Sequence, residues 1–518
     1  MPILVLDGER LPWEDAARAL SEPIHVRLAP AARRRLAKAR AVVERHERDE
    51  RPIYGINTGF GIFARTKIAP EKLRELQRNL VVSHAAGVGA ALPDGIVRLM
   101  LLLKLHHLAR GHSGVRVELA EALAAWLNAD CLPIVPAQGS VGASGDLAPL
   151  AHLALALLGE GFVRSGGRIM AASRAAKRLR LPCVTLQAKE GLALLNGTEA
   201  MLAVAVAVVT EAWVVLCHAD IAGALTIEGL LGSVTPFDAR LHGVRPHPGA
   251  VATAAMLRKL LAQSAIVASH RDCGRVQDPY ALRCIPAVHG VAREAIRVGA
   301  ATVHCELDSV TDNPIIFPDD DAILSGGNFH GAPLAFAMDA LAIALTTLAS
   351  ISERRIEQLI NPKAAELAVM GLTPTPGLHS GFMVAHTTAA ALVSECKTLA
   401  HPASVDTIPT WGGQEDHVSM GMWAARKARD VVALARQVVG IELLAACQAI
   451  DLHPRRDAPG KGAAAAYRAV RAAVPMLRED RPMAPDLGLA EQLVAEQRIK
   501  AAVEGRCGRM PEWQLRAG

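Results

Sequence analysis

Gly139-Ser140-Val141-Gly142-Ala143-Ser144-Gly145-Asp146-Leu147-Ala148-Pro149-Leu150 sets small residues, hydroxyls and one carboxylate ahead of an apolar run. Four readings compete for it. The plainest is a glycine turn in which Ser144 or Asp146 caps a helix starting near Leu147. An anion cradle of backbone N–H groups is a second, but no Gly-Lys-Ser/Thr follows, so the phosphate-loop signature fails. A nucleophile elbow needs glycine where Asp146 stands. The fourth is backbone cyclisation. Gly145 has no side chain, so its amide nitrogen can approach the Ala143 carbonyl carbon and close a five-membered ring with loss of one water. Loss of a second water from Ser144 leaves a conjugated methylidene. That would be an electrophile made from the chain itself, which no ordinary side chain provides.

Long helices are the elements available to position such a loop. From Glu71 to Val82, Leu73, Leu76, Leu80 and Val81 recur at helical spacing, with Lys72, Arg74, Glu75 and Arg78 on the other face. The same reading predicts helices over Ala31–Glu50, Val97–Leu108, Gly197–Leu216, Pro333–Leu359, Phe382–Leu399 and Ala424–Ile450. Leu11-Pro12-Trp13-Glu14-Asp15 supplies a helix start, with Pro in the first turn and acids behind it. Glycine-rich connections fall at Tyr54–Gly61, Gly139–Gly145, Ser325–Gly331 and Thr407–Gly413, and loops on a rigid scaffold are where chemistry usually sits. The fold class expected is mainly α: a smaller N-terminal catalytic domain over 1–200 that carries the Ala-Ser-Gly loop, then a long-helix bundle over 201–518.

Composition excludes several function classes. The chain has 518 residues, 51% hydrophobic and 21% charged, which is enough apolar surface for a packed core. Its 56 Lys+Arg against 51 Asp+Glu leave a net charge of only +5. The arginines at 33, 34, 35, 40 and 45 are interleaved with or followed by Glu44, Glu47, Asp49 and Glu50, which is a solvated helix face rather than a nucleic-acid patch. Six Trp, three Tyr and eight Phe in the whole chain provide few platforms for stacking bases. Nine cysteines, odd in number and without a C-x-x-C pair, indicate neither a disulfide framework nor a thiolate zinc site. Most of them should be small buried hydrophobes in a reducing compartment. No signal peptide is visible at the N-terminus, and the apolar tracts Met201–Val209 and Leu334–Ser350 read as buried helices rather than membrane spans. A cytoplasmic protein is expected, with no membrane or nucleic-acid partner.

Eight motifs in order carry a resemblance. Besides Gly139–Leu150 they are Tyr54-Gly-Ile-Asn-Thr-Gly-Phe-Gly61, Asn79-Leu-Val-Val-Ser-His84, Leu194-Leu-Asn-Gly-Thr198, Gln277-Asp-Pro-Tyr-Ala-Leu-Arg283, Thr311-Asp-Asn-Pro314, Gly326-Gly-Asn-Phe-His330 and Gln414-Glu-Asp-His-Val-Ser-Met420. From about Tyr54 to about His453 the chain resembles the aromatic amino-acid ammonia-lyases and aminomutases. These build a methylidene-imidazolone group autocatalytically from Ala-Ser-Gly, here Ala143-Ser144-Gly145. The resemblance implies a carbon–nitrogen lyase with no external cofactor and no metal. It also implies a homotetramer whose sites each take residues from three chains.

The same resemblance assigns roles. Tyr54, on a loop whose Gly55 and Gly59 suggest a mobile lid, becomes general base for the β-proton. A phenol ionising near about 10 would need neighbouring cations or the ring's dipole to lower it. Arg283, beside Tyr280 and Gln277, offers a rigid fork for the substrate carboxylate, with Asn313 as a second contact; a structural salt bridge and an ordinary turn are the plain alternatives. Asn196 has the donors and acceptor to hold the amino group and the ring, and Phe329 is the residue that packs beneath the ring. His84 and Glu415 bear on the substrate side chain, with Met383 nearby. An imidazole presents one donor and one acceptor, which a histidine and a carboxylate match. Phenylalanine and tyrosine lyases generally carry glutamine where Glu415 stands, so the implied substrate is L-histidine, released as trans-urocanate.

Gln414-Glu-Asp-His417 also suggests metal ligands, but Asp416 and His417 lack a second ligand pair at a suitable spacing. Departures from the family pattern fall at Glu366–Gly377, His379 and Trp411-Gly-Gly413, and they bear on substrate identity more than on reaction class. The alternatives are a lyase for tyrosine, phenylalanine or a modified histidine, an aromatic 2,3-aminomutase, a serine-nucleophile transferase, and a helical binding protein that has lost catalysis.

Overall fold

The helix Glu199–Gly229 follows from a sequence that is apolar on every side, a pattern that only a fully surrounded helix can hold. The computed structural model describes residues 3–271, 274–361, 369–453 and 457–510, among which there are twenty α-helices and nine strands of two to four residues. Glu199–Gly229 packs on Ile285–Leu307, Ala332–Ile360 and Gly421–Asp451, and Ala332–Ile360 also contacts the other two; Met383–Leu399 covers Ala332–Ile360 and Gly421–Asp451. One hydrophobic core runs across residue 200, taking in Leu105 and Met201 as well as Leu345 and Val439. The expected mainly α fold is the one observed.

Helix boundaries differ where tertiary contacts override local signals. The predicted Gly197–Leu216 helix starts at Glu199 and runs on to Gly229. His218, Asp220 and Glu228 look like a polar break in the sequence. In the fold His218 Nδ1 meets the Val214 carbonyl at 2.8 Å, Asp220 receives Arg293 at 2.5 Å, and Glu228 receives Ser264 Oγ at 2.7 Å. Buried polar groups with partners do not stop a helix. The predicted Ala31–Glu50 helix is Pro30–His46, and Glu71–Val82 is Leu73–His84. Glu199–Gly229 and Ala332–Ile360 are both long and apolar enough to cross a membrane by length and composition alone, and both lie mostly inside this core.

Charges fix the bundle where apolar packing alone is permissive. Arg355 donates to both oxygens of Glu442, at 2.5 and 2.8 Å, and Thr226 and Ser352 hydroxyls complete that carboxylate. All four side chains are buried, and removing one partner of such a pair strands a charge. Four of the described cysteines, Cys131, Cys217, Cys396 and Cys447, are buried; Cys183 and Cys305 are exposed and Cys284 and Cys507 lie between. The expectation that most would be buried therefore holds for half of them.

Candidate active site

The Ala143-Ser144-Gly145 loop is braced by the turn that leads into the Glu199–Gly229 helix. Gly145 has φ +73°, and a Cβ built there would lie 2.0 Å from the Gly197 carbonyl oxygen, so no other residue fits. Gly197 N–H donates to the Ser144 carbonyl at 3.3 Å, and Asp146 N–H donates to the Gly197 carbonyl at 2.8 Å. Asp146 stands at the N-cap of Leu147–Leu157, but its carboxylate does not serve that helix. It accepts from Met201 N–H at 2.7 Å and from Ser140 Oγ at 3.0 Å, so it caps the long helix instead. Burial pushes its carboxyl up to about 7, against the hydrogen bonds that lower it.

Beneath the loop lies a floor of paired charges. Lys104 donates to the Asn196 carbonyl at 2.6 Å and the Ala193 carbonyl at 3.2 Å, and pairs with Glu199 at 2.7 Å. His107 Nδ1 lies 3.1 Å from the same carboxylate. Burial alone would raise Glu199, yet Lys104 and His107 outweigh it and hold the carboxyl down at about 2. A second pair, Lys189 with Asp312 at 2.6 Å, touches Asn196 through Asp312 Oδ1. Asn196 also donates to the Asn313 carbonyl at 2.7 Å. Its amide nitrogen is thereby committed, and the amide oxygen remains as the acceptor.

Tyr54, His84, Ser144, Asn196 and Glu415 line one cavity of about 540 Å³ with Phe60, Phe63 and Trp411. Tyr54 comes from the loop before Leu73–His84, His84 from that helix's last residue, and Glu415 from a short turn in which Thr410 Oγ1 donates to Glu415 Oε2 at 2.5 Å. Burial raises the Tyr54 phenol above its ordinary value. The Gly61 N–H, 3.5 Å from Oη, lowers it, while Glu415 and Asp312 raise it further. Among the described residues no cation acts to lower it. Burial lowers His84, with Glu415 acting the other way.

The sequence matches the family model for aromatic amino acid lyase over residues 11–472. It is 50% identical over 503 residues to the histidine ammonia-lyase of Myxococcus xanthus, covering 97% of this chain and 98% of that one. The chain belongs to the aromatic amino acid lyase family. Among solved structures, the histidine ammonia-lyase of Trypanosoma cruzi superposes with a TM-score of 0.89 at 40% identity, covering 98% of this chain and 96% of that one. The tyrosine aminomutase of Streptomyces globisporus gives 0.92 at 37%, covering 99% and 100%. As a member of the family the protein is a carbon–nitrogen lyase.

The remaining expected residues of this lyase lie away from that cavity in the single chain. Gln277 and Arg283 line a separate hollow of about 650 Å³ with Ser233, Thr235 and Arg275. Arg283 lies 4.4 Å over the Tyr280 ring, and Tyr280 is 70% exposed. Met383, at the start of Met383–Leu399, is exposed as well. Phe329 is half-buried in the loop after Ala322–Leu324. Asn313 stands behind Asn196, with its Oδ1 accepting from Gly326 N–H at 2.8 Å. His379 meets Asp480, whose N–H approaches its Nδ1 at 3.3 Å, away from the cavity. Part of the departure at Glu366–Gly377, residues 366–368, lies outside the described residues. Lys104, Lys189, Glu199 and Asp312 escaped the sequence reading. Lysine inside the run Leu101–Leu105 was the available signal, since lone charges in apolar segments are buried with a partner.

Proposed function

We propose that the chain is a histidine ammonia-lyase, which eliminates ammonia from L-histidine to give trans-urocanate at an electrophile built from Ala143-Ser144-Gly145. The observation that carries the substrate reading is that His84 and Glu415 line the cavity that also holds Tyr54 and Ser144. An imidazole pairs with both, whereas a phenyl ring strands both. Relatives near 50% identity that bear the histidine ammonia-lyase name support the same substrate.

The ring residues fit the group. Gly145 is pressed on Gly197 with no room for a Cβ, and the Ser144 carbonyl is held from the same turn. Once formed, the methylidene-imidazolone supplies the electrophile that activates the amino acid for loss of ammonia. Tyr54 takes the β-proton at Oη. Asn196 holds the ammonium through its amide oxygen, and His84 and Glu415 orient the imidazole. Leu80, Leu192 and Leu195 line the same cavity and exclude water from it.

Gln277, Tyr280, Arg283, Asn313, Phe329 and Met383 complete the reading, most of them from neighbouring copies in a homotetramer. Its support is the apolar surface one chain leaves open: Val276 is 94% exposed, Leu378 77% and Phe336 68%, a display that calls for cover. Arg283 as the substrate's carboxylate partner, delivered by another copy, also brings a cation toward Tyr54. Residues 1–200 then contribute the ring loop, Tyr54, His84 and Asn196, and 201–518 contribute Glu415 and the bundle. The free thiols suit a cytoplasmic setting.

The experiment is intact mass. The purified protein should be lighter than its encoded mass by two waters. Ser144→Ala should regain at least one of them and lose turnover. Full activity in a protein of unmodified mass would refute the electrophile.

A further inference from the structure

We propose that Trp411 is a positioning residue that clasps the Tyr54 loop to the Glu415 turn across the cavity mouth, an inference that rests on Tyr54 as base and Glu415 as substrate partner. Trp411 holds φ +47°, a left-handed conformation that a bulky L residue adopts only where its surroundings impose it. What imposes it is the opposite loop. A Cβ at Gly61 would lie 1.9 Å from the indole Nε1 and 2.0 Å from Cδ1, so the indole sits directly on the Gly61 backbone. The Phe63 ring meets the indole edge-on, 5.8 Å between centroids at 74°. One residue further on, a Cβ at Gly412 would lie 3.4 Å from Ile62 Cγ2.

Both ends of this contact lead to chemistry. Gly61 is the residue whose N–H reaches Tyr54 Oη at 3.5 Å, so pressure on Gly61 sets where the phenol oxygen sits. On the other side Thr410, next to Trp411, exchanges backbone hydrogen bonds with Glu415 at 3.0 and 3.4 Å and donates its hydroxyl to the carboxylate. The indole therefore fixes the separation between base and substrate partner. Trp411, Phe63 and Ile62 are each about half exposed, so the clasp stands at the solvent edge of the cavity rather than in the core. A small residue at 411 would leave the tip of the Tyr54 loop held by the loop's own hydrogen bonds, Gly59 N–H to the Thr66 carbonyl and Ile68 N–H to the Asn57 carbonyl, with nothing from the indole to press on Gly61.

The test uses the full-length enzyme turning over L-histidine. Trp411→Ala should lower kcat by roughly tenfold or more, because a misplaced base costs rate before it costs affinity, while the thermal midpoint stays close to wild type. Trp411→Phe keeps a ring against Phe63 and should restore most of that loss. Gly61→Ala should be worse than Trp411→Ala, since its methyl collides with the indole. Adding Trp411→Ala to Gly61→Ala removes the collision and should recover activity above the Gly61→Ala level, short of wild type because Gly61 has φ +57°. Wild-type kcat and KM in Trp411→Ala, or losses that simply add in the double variant, would overturn the clasp. Failure of the underlying reading is distinguishable: Tyr54→Phe would then keep its rate, whereas failure of the clasp alone leaves Tyr54→Phe crippled and Trp411→Ala active.

Discussion

The floor of the cavity and its mouth are built on opposite principles. Lys104, Glu199, Lys189, Asp312 and Asp146 below the ring loop are buried, and each has a partner at hydrogen-bond distance. At the mouth Tyr54, Phe63, Trp411 and Glu415 are partly to half exposed, on turns in which Gly55, Gly61, Trp411, Gly412 and Gly413 take positive φ. The floor is braced by two buried ion pairs, Lys104–Glu199 between two helices and Lys189–Asp312 between two connecting segments. The mouth must admit an amino acid and release ammonia and product, so it is joined by one indole and one hydroxyl. Rigid support under a site and low local stability at its entrance are complementary requirements.

Substitution at the mouth should therefore change rate without changing stability, and substitution in the floor should do the reverse first. Tyr54→Phe keeps the ring and removes the hydroxyl. We expect a loss of roughly 10²–10⁴ in kcat with an unchanged melting midpoint, read from steady-state turnover and thermal unfolding. A matching fall in stability would blur the distinction between the two regions.

Lys104→Met tests the floor. It leaves the Glu199 carboxylate buried against His107 alone and takes the donor from the Asn196 carbonyl. The expected destabilisation is about 3–5 kcal/mol by denaturant unfolding, with the fraction of protein lighter by two waters reduced. A variant of wild-type stability carrying a fully matured ring would show that the charges beneath the loop are dispensable.

Glu228 sharpens the point by contrast with Glu199. Its carboxylate accepts from Gly460 N–H at 2.8 Å and Ser264 Oγ at 2.7 Å. No cation is among the causes acting on it, and burial pushes it up to about 7. A carboxyl raised in the fold binds its proton more tightly there than in the unfolded chain. Its contribution is most favourable below the ordinary carboxylate range and declines as pH rises toward 7. Glu228→Gln mimics the protonated form. Between pH 5 and 8 wild type should lose up to about 3 kcal/mol relative to the variant, seen as diverging thermal midpoints. Parallel midpoints would contradict the raised value.

Much of this was legible in the sequence, for reasons that differ by residue. The need for glycine at 145 was readable because a close backbone approach there leaves no room for a Cβ, and the helices because their periodicity is local. Capping rules are local, so they offered Ser144 or Asp146 for the helix that begins at Leu147, while the Asp146 carboxylate serves a helix more than fifty residues on. The direction of the Tyr54 shift was not legible, since its main cause is burial in the packed fold, and Glu415 and Asp312, which add to it, come from distant segments. Trp411 stood out in sequence only as a departure. Its indole rests on Gly61, whose need for glycine comes both from that contact and from its own φ of +57°. Residues such as Tyr280 and Met383, exposed on one chain, carry no local signal of where their partners lie.

The central claim is tested most directly by offering L-histidine, L-tyrosine and L-phenylalanine separately to the purified protein and following urocanate, coumarate and cinnamate by ultraviolet absorbance. Two stranded polar groups at about 1–3 kcal/mol each set the expected preference for histidine at roughly 10²–10⁴. Urocanate should form at that advantage and Glu415→Gln should erode it. Equal rates on histidine and tyrosine, or a β-amino acid as the main product, would contradict the account.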